Sequence, residues 1–149
     1  MEDSDPHQLD ADGRDAVLGT GGVGVLAFST AGSDPPHSLP VSYGYDADTA
    51  SLYFRLAIGG DSGKSDLLDN PVSFTVHHEG EDGYESVVAQ GTLDSIEAAD
   101  VAGHILDGLS RVQIPLFDVF ERRPRETTFA FYRLDASDAS GKREIQRRD

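Results

Sequence analysis

The chain has no cysteine and no tryptophan among its 149 residues. Without cysteine it can form neither disulfides nor thiolate ligands, which excludes disulfide scaffolds, iron–sulfur clusters and thiol chemistry. No run of about 18 apolar residues occurs, so no membrane-spanning helix is predicted. The first residues lack the basic start and apolar stretch of a secretion signal. We therefore expect a cytoplasmic protein.

Positive charge is also scarce, because 12 lysine and arginine residues face 27 acidic ones and leave a formal net charge of −15. Such a surface repels phosphate backbones and anionic lipids, so nucleic acids and membranes are not expected partners. Aspartate outnumbers glutamate and arginine outnumbers lysine, a composition typical of halophilic archaea that accumulate salt. At molar salt the Debye length falls to about 3 Å, which makes this self-repulsion tolerable. The sequence predicts a halophilic protein.

Two cations stand out within the acidic background. Between Asp15 and Ser110 the chain has fifteen carboxylates and two fixed positive charges, Arg55 and Lys64. An arginine on a predicted strand and a lysine in a glycine-rich loop are expected to face an anionic group, which we interpret as a ligand phosphate. The alternative is a surface loop in which Lys64 pairs with neighbouring carboxylates.

Apolar residues with a period of two predict that most of the chain forms strands. The predicted strands are 23–29, 38–45, 51–57, 72–78, 85–93 and 127–134. Short helices are predicted at 11–18 and 64–70, and a longer one at 96–109. About six strands joined mostly by hairpins indicate an all-β fold with helical covers, a split antiparallel β-barrel of Greek-key type. One domain is expected over residues 15–135, between flexible tails at 1–14 and 136–149.

Three glycine-rich segments resemble known motifs without completing them. The segment 59–65 nearly spells a phosphate-binding P-loop, but Ile58 replaces its first glycine and the flanking strands form hairpins. Its exposed backbone N–H groups still favour an anion. The segment 19–24 has the letters of a dinucleotide-binding turn, yet it precedes its strand. The segment 60–63 is similar to a serine protease nucleophile region, without matching His and Asp segments.

His77 and His78 are adjacent on a predicted strand, so their side chains point to opposite faces and cannot bind one metal ion together. No metal site is predicted, although one of the two histidines could line a ligand pocket. The apolar segment 116–120 is expected to pack in the core or at a subunit interface. The three arginines at 122, 123 and 125 are expected to pair with nearby carboxylates.

Five segments in order carry a resemblance to a known family. They are Ser38–Asp46, Leu52–Ala57, Gly63–Pro71, Val72–Val76 and Ser86–Leu93. Over about residues 22–134 the chain resembles the pyridoxamine 5′-phosphate oxidase-like family of FMN-binding split β-barrels. The resemblance implies FMN as cofactor, held in a groove between the two subunits of a homodimer.

The resemblance also implies roles for individual residues. Arg55 and Lys64 would hold the FMN phosphate, helped by Ser62 and Ser65. The residues expected along the isoalloxazine ring are Leu39, Pro40, Val41 and Ser42, with Gln90 as a further candidate and 116–120 partly closing the pocket. A flavin-dependent oxidoreductase with a small-molecule electron donor or acceptor is implied, and no protein side chain is named as catalytic because the flavin N5 carries the chemistry.

The sequence departs from true pyridoxamine phosphate oxidases, whose substrate-binding C-terminal motif is rich in tryptophan and arginine. Since this chain has no tryptophan, synthesis of pyridoxal phosphate is not expected. Within the same fold, a deazaflavin or haem is the alternative ligand. Outside enzymology, the alternative is a flavin carrier without catalysis, or an interaction module.

Overall fold

The computed structural model describes residues 8–30, 32–58, 69–80, 83–96 and 128–145. These residues form one helix and nine strands. In chain order they are β1 (Gln8–Leu9), α1 (Ala11–Leu18), β2 (Gly21–Phe28), β3 (His37–Asp46), β4 (Ser51–Ile58), β5 (Val72–Gly80), β6 (Gly83–Gly91), β7 (Asp94–Ile96), β8 (Thr128–Asp135) and β9 (Ser140–Ile145). No helix among the described residues is long and apolar enough to cross a membrane.

The strands form a single curled sheet in the order β1-β9-β6-β5-β2-β3-β4-β8-β7, and every pairing is antiparallel. This confirms the all-β antiparallel architecture with a helical cover. The number of strands differs from the prediction, since nine are present where about six were expected. The additional strands β1, β7 and β9 have two to six residues each, too few or too polar to show a period of two.

The predictions for the two tails and for the helices agree with the structure to different extents. The helix expected at 11–18 is confirmed at the predicted bounds. Residues 140–145, which the sequence places in a flexible tail, form β9 and pair with β6 over six residue pairs. Their pairing comes from backbone hydrogen bonds, which leave no apolar pattern in the sequence. The helices predicted at 64–70 and 96–109 both lie largely outside the described residues, apart from 69–70 and Ile96, which ends β7.

The core fills one face of the sheet. Three of its aromatic side chains are in direct contact, with Phe74 packed edge-on against Tyr43 at 5.2 Å and against Phe54 at 4.7 Å between ring centroids. The other core members include Leu26, Phe28, Val41, Leu52, Val76, Val87 and Leu134. Edge-to-face rings of this kind stabilise a core beyond the area they bury.

Helix α1 closes one end of the core. Asp10 caps its first turn by accepting a hydrogen bond from the Gly13 N–H at 2.8 Å. At its last turn the Tyr43 hydroxyl donates to the Leu18 carbonyl at 2.8 Å, which satisfies one of the carbonyls a helix end leaves unpaired. The Tyr45 hydroxyl donates to the Asp15 carboxylate at 2.6 Å. The helix is thus fixed to the sheet by tyrosine hydroxyls.

Candidate functional site

The sheet has a second face, opposite the core, which we call the outer face. Strand residues alternate between the two faces. On β3, Val41 is buried in the core and Leu39 packs against it, so Pro40 and Ser42 point to the outer face. Of the four residues expected along a flavin ring, Pro40 and Ser42 therefore contribute side chains to this face. Leu39 and Val41 can contribute only backbone atoms to it.

The first half of strand β2 carries its larger side chains on the outer face instead of the core face. Gly22 and Gly24 point inward, where an added Cβ at Gly24 would lie 2.5 Å from the Phe74 ring. Val23 and Val25 point outward and are 48% and 43% exposed. The aromatic core occupies the inner space, and the valines cover the outer surface.

Four neighbouring outward side chains of β2 and β3 form a small surface patch that we call the platform. It consists of Val23, Val25, Pro40 and Ser42, with Val25 paired to Pro40 and Val23 paired to Ser42 across the two strands. Cross-strand partners place their Cβ atoms about 4.5–5.5 Å apart. The described hydrogen-bonded pairing of β3 with β4 starts at Tyr43. Pro40 lies outside this paired stretch, so its missing backbone N–H costs no hydrogen bond to β4.

Arg55 borders the platform on the next strand. It follows Phe54, which is buried in the core and paired with Tyr43, so alternation places Arg55 on the outer face, half-buried. Because Ser42 precedes Tyr43, extending this register by one residue brings Arg55 beside Ser42. A guanidinium group therefore lies at one edge of an apolar surface.

The remaining predicted site residues are divided between the outer face and the undescribed part of the chain. Gln90 is exposed on β6, opposite Ser73, and alternation with the buried Ala89 places it on the outer face, two strands from β2. Lys64, Ser62 and Ser65 lie outside the described residues. The segments 116–120 and 122–125 lie outside them as well.

The two histidines have separate environments, as alternation along the strand predicts. The inner-face His78 bonds through Nε2 to the Val17 carbonyl of α1 at 2.7 Å. His77 is exposed on the outer face and is paired with Ser86 of β6. Among the described residues, no three His, Asp or Glu side chains are grouped so that they could hold a metal ion.

The central part of the outer face carries no negative charge. Alternation places twelve side chains from the middle of β2, β3, β5 and β6 here, while the carboxylates of Asp46 and Glu79 lie on the same face at the ends of β3 and β5. The twelve are Val23, Val25, Ala27, Ser38, Pro40, Ser42, Ser73, Thr75, His77, Ser86, Val88 and Gln90, and none is a carboxylate. In a chain with 27 acidic residues, this is the kind of surface on which an anionic ligand or another acidic protein can lie without repulsion.

The platform residues Val23 and Val25 were missed by sequence reasoning, which took the apolar segment 23–29 as an ordinary strand. A signal was present in the sequence, since glycine and valine alternate from Gly22 to Val25. A strand in which glycines alternate with larger apolar residues has one face without side chains. That face can lie against a bulky core, while the other carries the larger residues.

Comparisons with known proteins agree with this fold. The family model described as pyridoxamine 5′-phosphate oxidase matches residues 10–143, and the chain therefore belongs to this family. No curated protein sequence matches the chain.

Several solved structures are similar. An FAD-binding protein from Mesorhizobium loti is 26% identical with a TM-score of 0.67, covering 92% of this chain and 96% of its own. The FAD-binding protein from Mycobacterium smegmatis is 14% identical with a TM-score of 0.66, covering 93% and 98%. An FAD- and haem-binding protein from the same organism is 18% identical with a TM-score of 0.59, covering 91% and 72%.

Proposed function

We propose that the chain binds a flavin on the outer face, with the ring against the platform and the phosphate towards Arg55. The observation that carries this proposal is the exposure of Val23 and Val25 near the guanidinium group of Arg55, with neutral outward side chains at Pro40, Ser42 and Thr75 around them. An apolar surface with a cation and a hydroxyl at its edge fits an amphipathic ring that bears a phosphate. The similar FAD-binding proteins support the same class of ligand.

The described residues of the platform and Arg55 suit binding and orientation more than chemistry. Ser42 can donate or accept a hydrogen bond at the edge of a ring, and Val23 and Val25 would exclude water from one of its faces. A bound flavin would supply hydride or electron transfer, and the protein would supply position and electrostatics. The resulting activity is that of an oxidoreductase with a small-molecule donor or acceptor, working in the cytoplasm.

The proposal names FMN, whose single phosphate matches the cations Arg55 and Lys64. FAD is the nearest alternative, because similar structures are FAD-binding proteins. Haem is a second candidate, favoured by the similar protein that binds both FAD and haem. A deazaflavin and a flavin carrier without catalysis remain further alternatives.

The proposal includes a second copy of this chain, packed around a two-fold axis against the platform. Two molecules that each carry a formal charge of −15 repel one another over most of their surfaces. The platform and the outward side chains of β5 beside it are where they can approach, because Ser73 and Thr75 next to the platform are neutral and the exposed valines gain from burial. A flavin would then lie between the two copies.

The test is the absorbance spectrum of protein purified at high salt, followed by titration with FMN, FAD, riboflavin and haem. A flavin spectrum and saturable FMN binding would support the proposal. A haem spectrum would favour the second candidate, and the absence of binding by all four ligands would refute ligand binding at this face. Reduction of the bound flavin by a nicotinamide donor would distinguish an enzyme from a carrier.

A further inference from the structure

A hollow lies on the outer face beyond the platform, where β6, β9 and β1 meet. It has a volume of about 330 Å³ and is lined by Gln8, Ser86, Val88, Ser140, Gly141 and Lys142. Strand pairing explains this grouping, because Lys142 is the cross-strand partner of both Ser86 and Gln8. Neighbouring strands are about 4.8 Å apart, so Ser86 lies about 10 Å from β2 and Lys142 about 14 Å.

The lining has the chemistry of an anion site. Lys142 supplies an ammonium group with three donors, the hydroxyls of Ser86 and Ser140 can each donate one hydrogen bond, and the Gln8 amide can donate two. No lining residue is acidic, which disfavours a cation as the occupant. Val88 adds one apolar contact, as expected for a small organic anion.

Lys142 already has one carboxylate partner. Its Nζ lies 3.2 Å from Oε1 of Glu144, and both side chains are about half exposed. A hydrogen bond to Glu144 also raises the pKa of the Tyr84 hydroxyl, so this carboxylate interacts with groups on two strands. An exposed ion pair of this kind is weak, which means that an oxyanion entering the hollow can compete with Glu144 for the ammonium group.

We propose that this hollow is an oxyanion subsite, which binds the phosphate or carboxylate group of a small molecule through Lys142, Ser86 and Ser140. It does not include Arg55 and does not require that a flavin bind. If the proposed function holds, the subsite lies on the same face as the ring, where the flavin's redox partner or the second phosphate of FAD could reach it.

The chain offers a matched control in Arg143. It is adjacent in sequence and similarly exposed, at 53% against 58% for Lys142. Alternation turns it to the other face, where it pairs with Glu85 at 2.8 Å. Lys142→Gln and Arg143→Gln therefore change the net charge equally, while only the first removes a cation from the hollow.

The test is a titration with inorganic phosphate at constant ionic strength, in which binding is monitored through the backbone amide chemical shifts of 15N-labelled protein. We expect saturable shifts at Ser86, Ser140 and Lys142. Lys142→Gln should weaken phosphate binding about fivefold, the upper end of what one exposed charge contact contributes. Arg143→Gln should change it by less than about twofold, and Glu144→Gln should tighten it because the competing carboxylate is gone.

Equal weakening by Lys142→Gln and Arg143→Gln would overturn the inference, because the effect would then come from net charge. Shifts confined to other parts of the sheet would overturn it as well. Competition with FMN and FAD distinguishes the sources of the oxyanion. If FAD displaces phosphate from the hollow and FMN does not, the hollow binds the second phosphate of the dinucleotide. If neither displaces it, the hollow binds a separate small molecule.

Discussion

The ring of Phe74 fills the space that a side chain at Gly24 would occupy. A Cβ built at Gly24 would lie 2.5 Å from Cζ of this ring and 2.7 Å from the backbone oxygen of Thr75. Neither contact can be relieved without moving the core or the neighbouring strand. The absence of a side chain at one position of β2 therefore makes room for the aromatic cluster and also fixes which face carries the valines.

Gly24→Ala should destabilise the fold by about 1–3 kcal/mol, the usual cost of overpacking a dense core. Gly22→Ala is the matched control, because its Cβ would meet Tyr43 at 3.4 Å, an ordinary contact. We expect the free energy of unfolding, measured with urea at one fixed salt concentration, to fall clearly for the first variant and little for the second. Equal losses would mean that glycine is needed on β2 for another reason.

The platform should hold two copies of the chain together. Val25→Glu places a carboxylate on the platform, where it would approach its equivalent across the two-fold axis. We expect a dimer for the natural protein and a folded monomer for the variant, measured by sedimentation equilibrium. Ile145→Glu is the control, since Ile145 is more exposed than Val25, at 54% against 43%, and alternation places it on the other face.

A monomeric natural protein at the concentrations used for flavin titration would contradict the two-copy site. Dissociation caused equally by Ile145→Glu would instead show that added negative charge anywhere on the molecule prevents association.

The sequence was most informative where burial on one face produced a clean alternation. Strands β3 to β6 were predicted close to their observed bounds, because each alternates apolar and small or polar residues along a half-buried strand. The opposite orientations of His77 and His78 follow from the same geometry. The helix at 11–18 was also predicted, at a position where Asp10 caps its first turn.

The sequence was less informative where backbone pairing or the identity of a neighbour decides the outcome. Strand β9 contains Lys142, Arg143 and Glu144, and no apolar period distinguishes it from a solvated tail. The outward direction of Val23 and Val25 depends on the position of the Phe74 ring, some 50 residues away in the chain. The hollow beside Lys142 depends on the registers of β1, β6 and β9 together.

Alkaline pH should destabilise the fold through the tyrosines at the end of α1. Burial raises the pKa of Tyr43 from 10.0 to about 12. The pKa of Tyr45 is raised as well, mainly by burial and secondly by its hydrogen bond to Asp15. Above pH 10 the unfolded chain loses these phenolic protons while the folded chain retains them. Stability is therefore fully present below pH 10 and falls as pH rises towards 12, by at most about 1.4 kcal/mol per pH unit for each tyrosine.

Tyr43→Phe separates the contribution of Tyr43 to the alkaline loss of stability from that of Tyr45. At neutral pH it should lose about 1 kcal/mol with the hydrogen bond to the Leu18 carbonyl, but above pH 10 its stability should fall less steeply than that of the natural protein. The measurement is the free energy of unfolding between pH 8 and about pH 12, with tyrosinate absorbance recorded on the folded protein. Parallel slopes for the two proteins would contradict the assignment to Tyr43.

Arg55 should discriminate between ligands with and without a phosphate. If its guanidinium holds the FMN phosphate, Arg55→Ala removes a charge-assisted hydrogen bond worth about 1.5 kcal/mol, the lower end of the usual range because the side chain is half exposed. FMN affinity should then fall about tenfold, while riboflavin affinity should stay within about twofold because that ligand has no phosphate to lose. Fluorescence titration of both ligands at one salt concentration measures the difference, with Arg143→Ala as the control for net charge. An equal loss for FMN and riboflavin would place Arg55 beside the ring instead of the phosphate, and no loss for either would remove it from the site.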